Sequence, residues 1–401
     1  MNDLNMNRLP VATWNQCGVN SAPKAAALPE LSGNFWGEVN FAYILPAGVG
    51  EAESDFSAFA ESGMGAETDA YIAENATVRH ALTVAEGVSV AEPVILEVTL
   101  DAAHPTALTS LSVDAKAGSS LTIVQVLRGD AEHGAAASLT RIRAGENAQV
   151  RLVQIQLLGD NARRWNAAAV EEGRNARVEQ VRIELGGILS ACGTRAALSA
   201  AKSEYDLDAV YFGSGSALLD YNDVSVHTAK DTMCEMHTAG VLTGHADKIL
   251  RGTIDFRRGA KRGVGHESED VLLFSTDARN RTAPLILCGE EEVEGQHAAS
   301  IGRLDEEKLY YLRSRGLSEA QARRLMVDAR FAPALDKIPL ETPAGRGTRG
   351  SCKEAGQRCR MNSTIPGAGI FPSLRLTKTA RGWSIWTVPP PPSTRCRCWM
   401  P

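Results

Sequence analysis

Aromatic residues make up only 5% of this 401-residue chain, and three of its six tryptophans lie beyond residue 340. A groove that grips sugar rings is therefore poorly supplied, which weighs against a carbohydrate-active enzyme with paired carboxylates. No apolar run approaches roughly 18 residues free of charge, so no membrane-spanning helix is expected. The amino terminus, MNDLNMNRLPVATW, has neither a basic leader nor an apolar core. It predicts a cytoplasmic chain with reduced thiols. In the body Cys17, Cys192, Cys234 and Cys288 stand far apart with no CxxC pair. The GxxxxGK[ST] phosphate loop, the dinucleotide fingerprint and the GxSxG elbow are all missing. GSGS at Gly213–Ser216 reads as a turn, because no helix start follows it.

Charge is divided unevenly along the chain. The net charge of −6 conceals a tail, residues 341–401, with 10 basic and 2 acidic residues. The preceding 340 residues hold 32 basic and 46 acidic residues, and an acidic body argues against nucleic acid as a partner. The tail also holds 8 of the 17 prolines, including PPPP at Pro389–Pro392. With no helical or strand period it is expected to be disordered, either an altered reading frame or an unrelated extension. Its Cys352, Cys359, Cys396 and Cys398 are spaced C-x6-C and C-x-C, unlike a zinc knuckle.

What the body does have is many short runs of alternating polarity separated by Gly or Asn turns. Gly118, Gly145 and Gly173 fall 27 and 28 residues apart, each leading two polar residues, a Leu or Ala, and a β-branched run. Such a period suits a solenoid, whose coils bury their inner faces only by stacking, although successive hairpins of a sandwich give similar spacing. After residue 303 the period changes. Asp305 is placed to cap a helix with Glu306 and Glu307 in its first turn, and Gly316 to end it. Ser318 and Gln321 form a capping box for a second helix carrying Leu325 and Met326 on one face. This hairpin is expected to close the open end of the solenoid. The predicted organisation is an N-terminal mixed region over 1–100, a β-helix core over 101–303, a helical segment over 304–340 and the atypical tail.

Within PLILCGEEEVEGQHAASIG, Pro284–Gly302, an apolar strand and an acidic turn precede the isolated His297. A neutral imidazole suits iron, and its proton suits sulfur-transfer steps, but spacing alone favours a histidine satisfied at an interface. Cys288 is either a sulfur- or iron-accepting thiolate or a small buried hydrophobe. Glu290, Glu291 and Glu292 read as a solvated turn. Cys234 and His237, at i and i+3, would share a helix face but fall on opposite faces of a strand. His227, His245 and His266 are expected to scatter along successive coils.

The Pro284–Gly302 stretch, with LRGTIDFRRGA (Leu250–Ala260), EDVLLFS (Glu269–Ser275), NRTAPLILC (Asn280–Cys288) and LDEEKLYYLRSRGLSEAQA (Leu304–Ala322), resembles the SufB/SufD family. LPVATW at Leu9–Trp14 is similar to its SufD branch, and no resemblance continues past about Leu340. The resemblance implies a mainly β fold, a right-handed parallel β-helix with helical segments at its ends. It implies a non-enzymatic scaffold in iron–sulfur cluster assembly, pairing with a SufB-like subunit and recruiting the ATPase SufC. The resemblance then implies that His297 faces the partner as a metal ligand, with Cys288, around a transient iron–sulfur cluster. Leu309, Tyr310, Leu312, Leu325 and Met326 are the expected SufC-docking residues, and a homodimer is the expected form without SufB. The chain departs from the pattern at Gly295, where many SufD sequences carry cysteine, and at Ala298, where SufB-type subunits carry glutamate. Alternatives are a β-helix carbohydrate-active enzyme and a homopolymeric β-solenoid.

Overall fold

The computed structural model describes residues 5–13, 15–22, 41–51 and 60–339, and the backbone of 374–379 and 382–387. The chain divides into two units, Met1–Ile338 and Pro339–Pro401. In chain order the first unit's strands are β1 (Phe41–Ile44), β2 (Val49–Glu51), β3 (Val78–Val84), β4 (Val94–Leu100), β5 (Thr106–Ala115) and β6 (Ser120–Gly129). They continue as β7 (Ala135–Ala144), β8 (Gln149–Leu158), β9 (Arg163–Glu172), β10 (Arg177–Leu185), β11 (Leu189–Leu198) and β12 (Glu204–Gly213). The last six are β13 (Leu218–His227), β14 (Met233–Leu242), β15 (Asp247–Phe256), β16 (Gly263–Leu273), β17 (Arg279–Cys288) and β18 (Val293–Arg303). Three helices accompany them: α1 (Ala66–Asn75), α2 (Glu306–Ser314) and α3 (Glu319–Leu335).

From β3 onward odd strands build one sheet and even strands the other, each paired in parallel with the strand one coil away. The result is a parallel β-solenoid of about eight turns. Its ladder starts at Val78, ahead of residue 101, because VRHALTV and VILEVTL already alternate well enough to stack. At the N-terminal end β1 and β2 pair antiparallel with β4 and β3, covering both sheet edges.

One turn position recurs in each coil with a left-handed backbone: Gly118, Asn147, Asn175, Lys202, Asp231 and Arg262, with φ between 55° and 65°. Gly, Asn and Asp tolerate this conformation best. The turns also bond to one another, Asn147 N to Arg174 O at 2.9 Å and Asn175 Nδ2 to Asn147 Oδ1 at 2.8 Å. This corrects the glycine repeat. Ser120 pairs with Gln149 and Gln149 with Arg177, so Gly118 corresponds to Asn147 rather than Gly145, and the coil period there is 29 and then 28 residues. Only Gly145 and Gly173 share a place.

Alternate side chains face inward. Near these turns they are apolar, such as Leu121, Ile123, Val150, Leu152 and Val178 against Val113, Ile142 and Val170. Farther along each strand the interior becomes polar. Gln154 donates to Gln125 (2.8 Å) and Asn166 (3.1 Å), Gln180 to Gln154 (2.9 Å), and Arg182 makes two 2.7 Å bonds to Asp223. Buried polar groups persist only when partnered, and this column supplies the partners coil by coil.

Residues 5–13 and 15–22 cross the outer face of the odd-numbered sheet. Arg251 donates to the carbonyls of Val19 and Ser21 and pairs with Asp220 at 2.6 Å, while Leu9 and Val19 pack on Ile249. Helix α1 packs on β5 and β7. In the helical hairpin Asp305 caps α2 through Glu307 N and Lys308 N, Gly316 follows with φ 94°, and the Ser318–Gln321 capping box of α3 is complete. The expected closure of the solenoid end does not occur. Helix α3 lies on the outer face of the even-numbered sheet against β12 and β14, burying Ala322, Val327, Phe331 and Ala334. Lys337 pairs with Asp208 and Arg330 with Asp270. An apolar helix face finds apolar strand surface there, whereas a bare strand edge offers mainly backbone donors and acceptors.

In the second unit, strands β19 (Leu374–Thr379) and β20 (Gly382–Thr387) pair antiparallel, where the sequence predicts no strand. Alternation in LRLTKT and the β-formers of GWSIWT account for them. The four tail cysteines lie outside the described residues.

Candidate functional site at the bare end of the solenoid

The last coil consists of β17, a turn through Glu290–Glu292, and β18. Among the described residues strand β18 pairs only with β16, and each residue from Glu294 to Arg303 is exposed. Register fixes which side chains look inward. Gly295 continues the row of Cys234 and Gly265, His297 that of Met236 and Glu267, and Ala299 that of Thr238 and Glu269. Ala298, beside Ser268, faces outward, so a glutamate there would not reach the interior. At Gly295 a Cβ would stand 2.9 Å from Ile286 Cγ2, so the packed interior occupies the space that a cysteine would need.

Behind His297 lies a group of charged side chains that sequence reading missed. Lys248 pairs with Glu269 and donates to Asn280 Oδ1 at 2.9 Å, and Thr282 also donates to Glu269. Burial pulls the Lys248 ammonium below its ordinary value, partly offset by Glu269. Glu267, only 7% exposed, makes no hydrogen bond or ion pair among the described residues. Its carboxylate reaches across the interior into the space left by the absent Cβ of Gly252. Burial first, then Glu269 and Asp223, pushes this carboxyl up to about 7. The available signal was GHESED, whose two glutamates fall at inward positions of a strand.

Cys288 is exposed at the end of β17, in the inward row of His227 and Phe256. The level of His297 corresponds to Pro284, which registers with Gly252. Four residues separate Pro284 from Cys288, about 13 Å along a strand. The structure therefore does not bring Cys288 and His297 together.

The remaining candidates scatter. Cys234 is buried inward and His237 lies on the opposite face, as strand geometry requires. His227 is buried and bonds Thr232 Oγ1 at 2.8 Å, and burial lowers its pKa to about 4. His266 bridges Glu235 (2.8 Å) and Glu294 (3.4 Å) on the outer face. Among the described residues no three His, Cys, Asp or Glu side chains converge as a metal-ligand set. On the hairpin, Tyr310 (75%) and Leu325 (47%) are exposed, with Tyr311 beside them, and Leu312 and Met326 are half-buried. Leu309 is buried, so it offers no free surface.

Fold and site define a β-solenoid that ends in an unpaired coil bearing an inward imidazole. Residues 98–330 match the SUF system FeS cluster assembly SufBD core domain, and the chain belongs to this SufB/SufD family. It is 27% identical over 206 residues to the iron–sulfur cluster assembly protein SufD of Bacillus subtilis, covering 51% of this chain and 47% of that protein. A SufBD family protein of Pyrococcus horikoshii is 30% identical over 220 residues, 52% of this chain and 46% of the relative. One from Mycobacterium tuberculosis is 28% identical over 267 residues, 65% and 66% of the two chains. The chain thus spans about half the length of the first two relatives. Among the described residues no helix is long and apolar enough to cross a membrane.

Proposed function

We propose that this chain is a SufD-like, non-catalytic scaffold subunit in the cytoplasm. It pairs through the β17–β18 end with a SufB-like subunit and recruits the SufC ATPase through the α2–α3 hairpin. A transient iron–sulfur cluster forms at the junction, with His297 facing it. The observation that carries this reading is β18, a ten-residue bare edge from Glu294 to Arg303 with His297 midway along it. Unpaired parallel strands are templates for a second sheet edge, and such an addition buries a large area. Homopolymerisation is disfavoured because β1 and β2 cover the opposite end. Without its partner the same edge supports a homodimer. Cys288 stands too far along β17 to share a ligand sphere with His297 in this chain, and its thiol is assigned to the rim of the interface.

The test is co-expression with the cognate SufB and SufC, purification through a tag on this chain, and measurement of complex mass with and without residues 341–401. A complex of all three subunits is expected. Elution of a folded chain alone in both forms sinks the scaffold reading.

A further inference from the structure

Four successive coils carry cations at the tip of the turn ahead of their even-numbered strand: Arg174, Lys202, Lys230, and Lys261 with Arg258, all of them exposed. Backbone bonds join the tips coil to coil, Asn175 N to Ala201 O at 3.0 Å, Lys202 N to Lys230 O at 3.2 Å and Asp231 N to Lys261 O at 2.9 Å. Three coil steps of about 4.8 Å make a basic ridge roughly 14 Å long. The acidic residues beside it are already engaged. Glu204 and Asp206 face Arg177, Asp231 holds Arg262 at 2.7 Å, and Asp255 holds Arg257 at 2.8 Å. Arg174, Lys202 and Lys230 form no ion pair among the described residues, although the first 340 residues hold 46 acidic against 32 basic side chains. The C-terminal end of the ridge shows what it can hold. There Glu290 accepts from Gly259 N at 3.0 Å and from Glu291 N at 3.1 Å, and these bonds, with Lys261 and Arg258 close by, keep its carboxyl below the ordinary value. A carboxylate thus sits at one end of the row, while Lys230, Lys202 and Arg174 farther along hold none.

We propose that this ridge is the docking surface for an acidic protein segment, a helix with carboxylates along one face. It goes beyond the proposed function, because none of these residues lies on β18 or in the α2–α3 hairpin. Carboxylates at i and i+4 of a helix stand about 6 Å apart, close to the coil spacing, and about ten helical residues span the row. Side chains make the contact, since the tip backbone groups already bond to one another. Met233, 39% exposed beside Glu204, adds an apolar contact at the flank. A nucleic acid fits poorly: a ridge one tip wide neutralises few phosphates, and the acidic body around it repels the strand. Charge excludes the chain's own tail, which has 10 basic and 2 acidic residues. Exposed pairs of this kind govern encounter rate and choice of partner more than affinity, so the segment belongs to a partner that docks and leaves.

The experiment titrates the full chain with a fluorescent alanine-based helical peptide of about 16 residues carrying glutamate at every fourth position, at low salt and at about 0.15 M. Wild type is expected to bind the peptide, with affinity falling as salt rises. The double variant Lys202→Glu and Lys230→Glu should weaken binding by roughly tenfold or more at low salt. Arg163→Glu with Arg279→Glu reverses two exposed charges away from the ridge and should change binding by less than about twofold. Melting curves of both double variants should match wild type, because all four side chains are exposed. Equal weakening by the two pairs, undiminished binding by the ridge pair, or no binding by wild type overturns the ridge. Tighter binding of a single-stranded oligonucleotide of equal charge overturns the acidic-protein assignment. So does a concentration-dependent dimer of the wild-type chain that the ridge pair abolishes, which would give the ridge to a second copy.

Discussion

His297 and Glu267 are register neighbours on parallel strands β18 and β16, both directed inward, one exposed at the end of the solenoid and the other sealed one coil behind it. The pair ties the bare edge to the interior. Docking of a second sheet onto β18 would bury His297 beside the Glu267 carboxylate, whose pKa burial raises and Lys248 partly lowers. The edge, the interior and the hairpin each lead to a separate expectation.

Ile301 is 52% exposed on β18 and continues the inward row of Val271. A charge there should oppose edge-to-edge docking while leaving the isolated chain intact. Ile301→Lys is expected to abolish co-purification with the SufB-like subunit and to change unfolding free energy by no more than about 0.5 kcal/mol. Light scattering of the co-expressed pair reads the first effect and urea denaturation the second. An undiminished heterodimer would exclude β18 from the interface.

The hairpin separates packing from docking. Leu309 is buried and Tyr310 and Leu325 are exposed. Leu309→Ala should cost about 2–5 kcal/mol in local stability. The double variant Tyr310→Ala and Leu325→Glu should leave the melting curve unchanged and remove SufC from the purified complex. Retention of SufC by the double variant would move the docking surface elsewhere.

The Arg182–Asp223 pair is nearly inaccessible, so removing one partner strands the other. Asp223→Ala is expected to destabilise the chain by about 3–5 kcal/mol, read as a lower urea midpoint. Replacing both with Met and Leu should cost much less than the two single changes together. A double-variant cost equal to the sum of the two single costs would show that the pair is not a coupled unit.

Acid should weaken the fold through His227. Burial holds its folded pKa at about 4, below the ordinary 6.5, so between these values the unfolded chain binds the extra proton. Stability present above pH 6.5 is therefore lost as pH falls toward 4, by on the order of 3 kcal/mol. His227→Gln should flatten that part of the stability–pH curve, measured by denaturation at a series of pH values. An identical slope in the variant would assign the acid sensitivity to other groups.

Local chemistry was legible wherever it is settled by neighbours in sequence. Asp305, Gly316 and the Ser318–Gln321 box act where the sequence places them, because a cap needs only residues three apart. Alternating polarity likewise announced strands, and turn residues announced coils. Errors arose where correspondence between coils mattered. Gly118 and Gly145 look equivalent in sequence, yet the ladder pairs Gly118's turn place with Asn147, because register follows inward rows rather than glycine spacing. Helix α3 was expected over the open end, and apolar complementarity takes it to β12 and β14 instead.

The sequence by itself placed the capped hairpin and the family resemblance, and that resemblance rather than the period favoured the solenoid over a sandwich, since short motifs are local and survive without coordinates. The tertiary structure alone decided that Cys288 and His297 stand apart, that Leu309 is consumed in packing, and that Glu267 lies buried one coil behind His297. Those facts depend on which residues 30 positions apart become neighbours, as Glu267 and His297 do, and that is set by the length of each turn and the pleat of each strand.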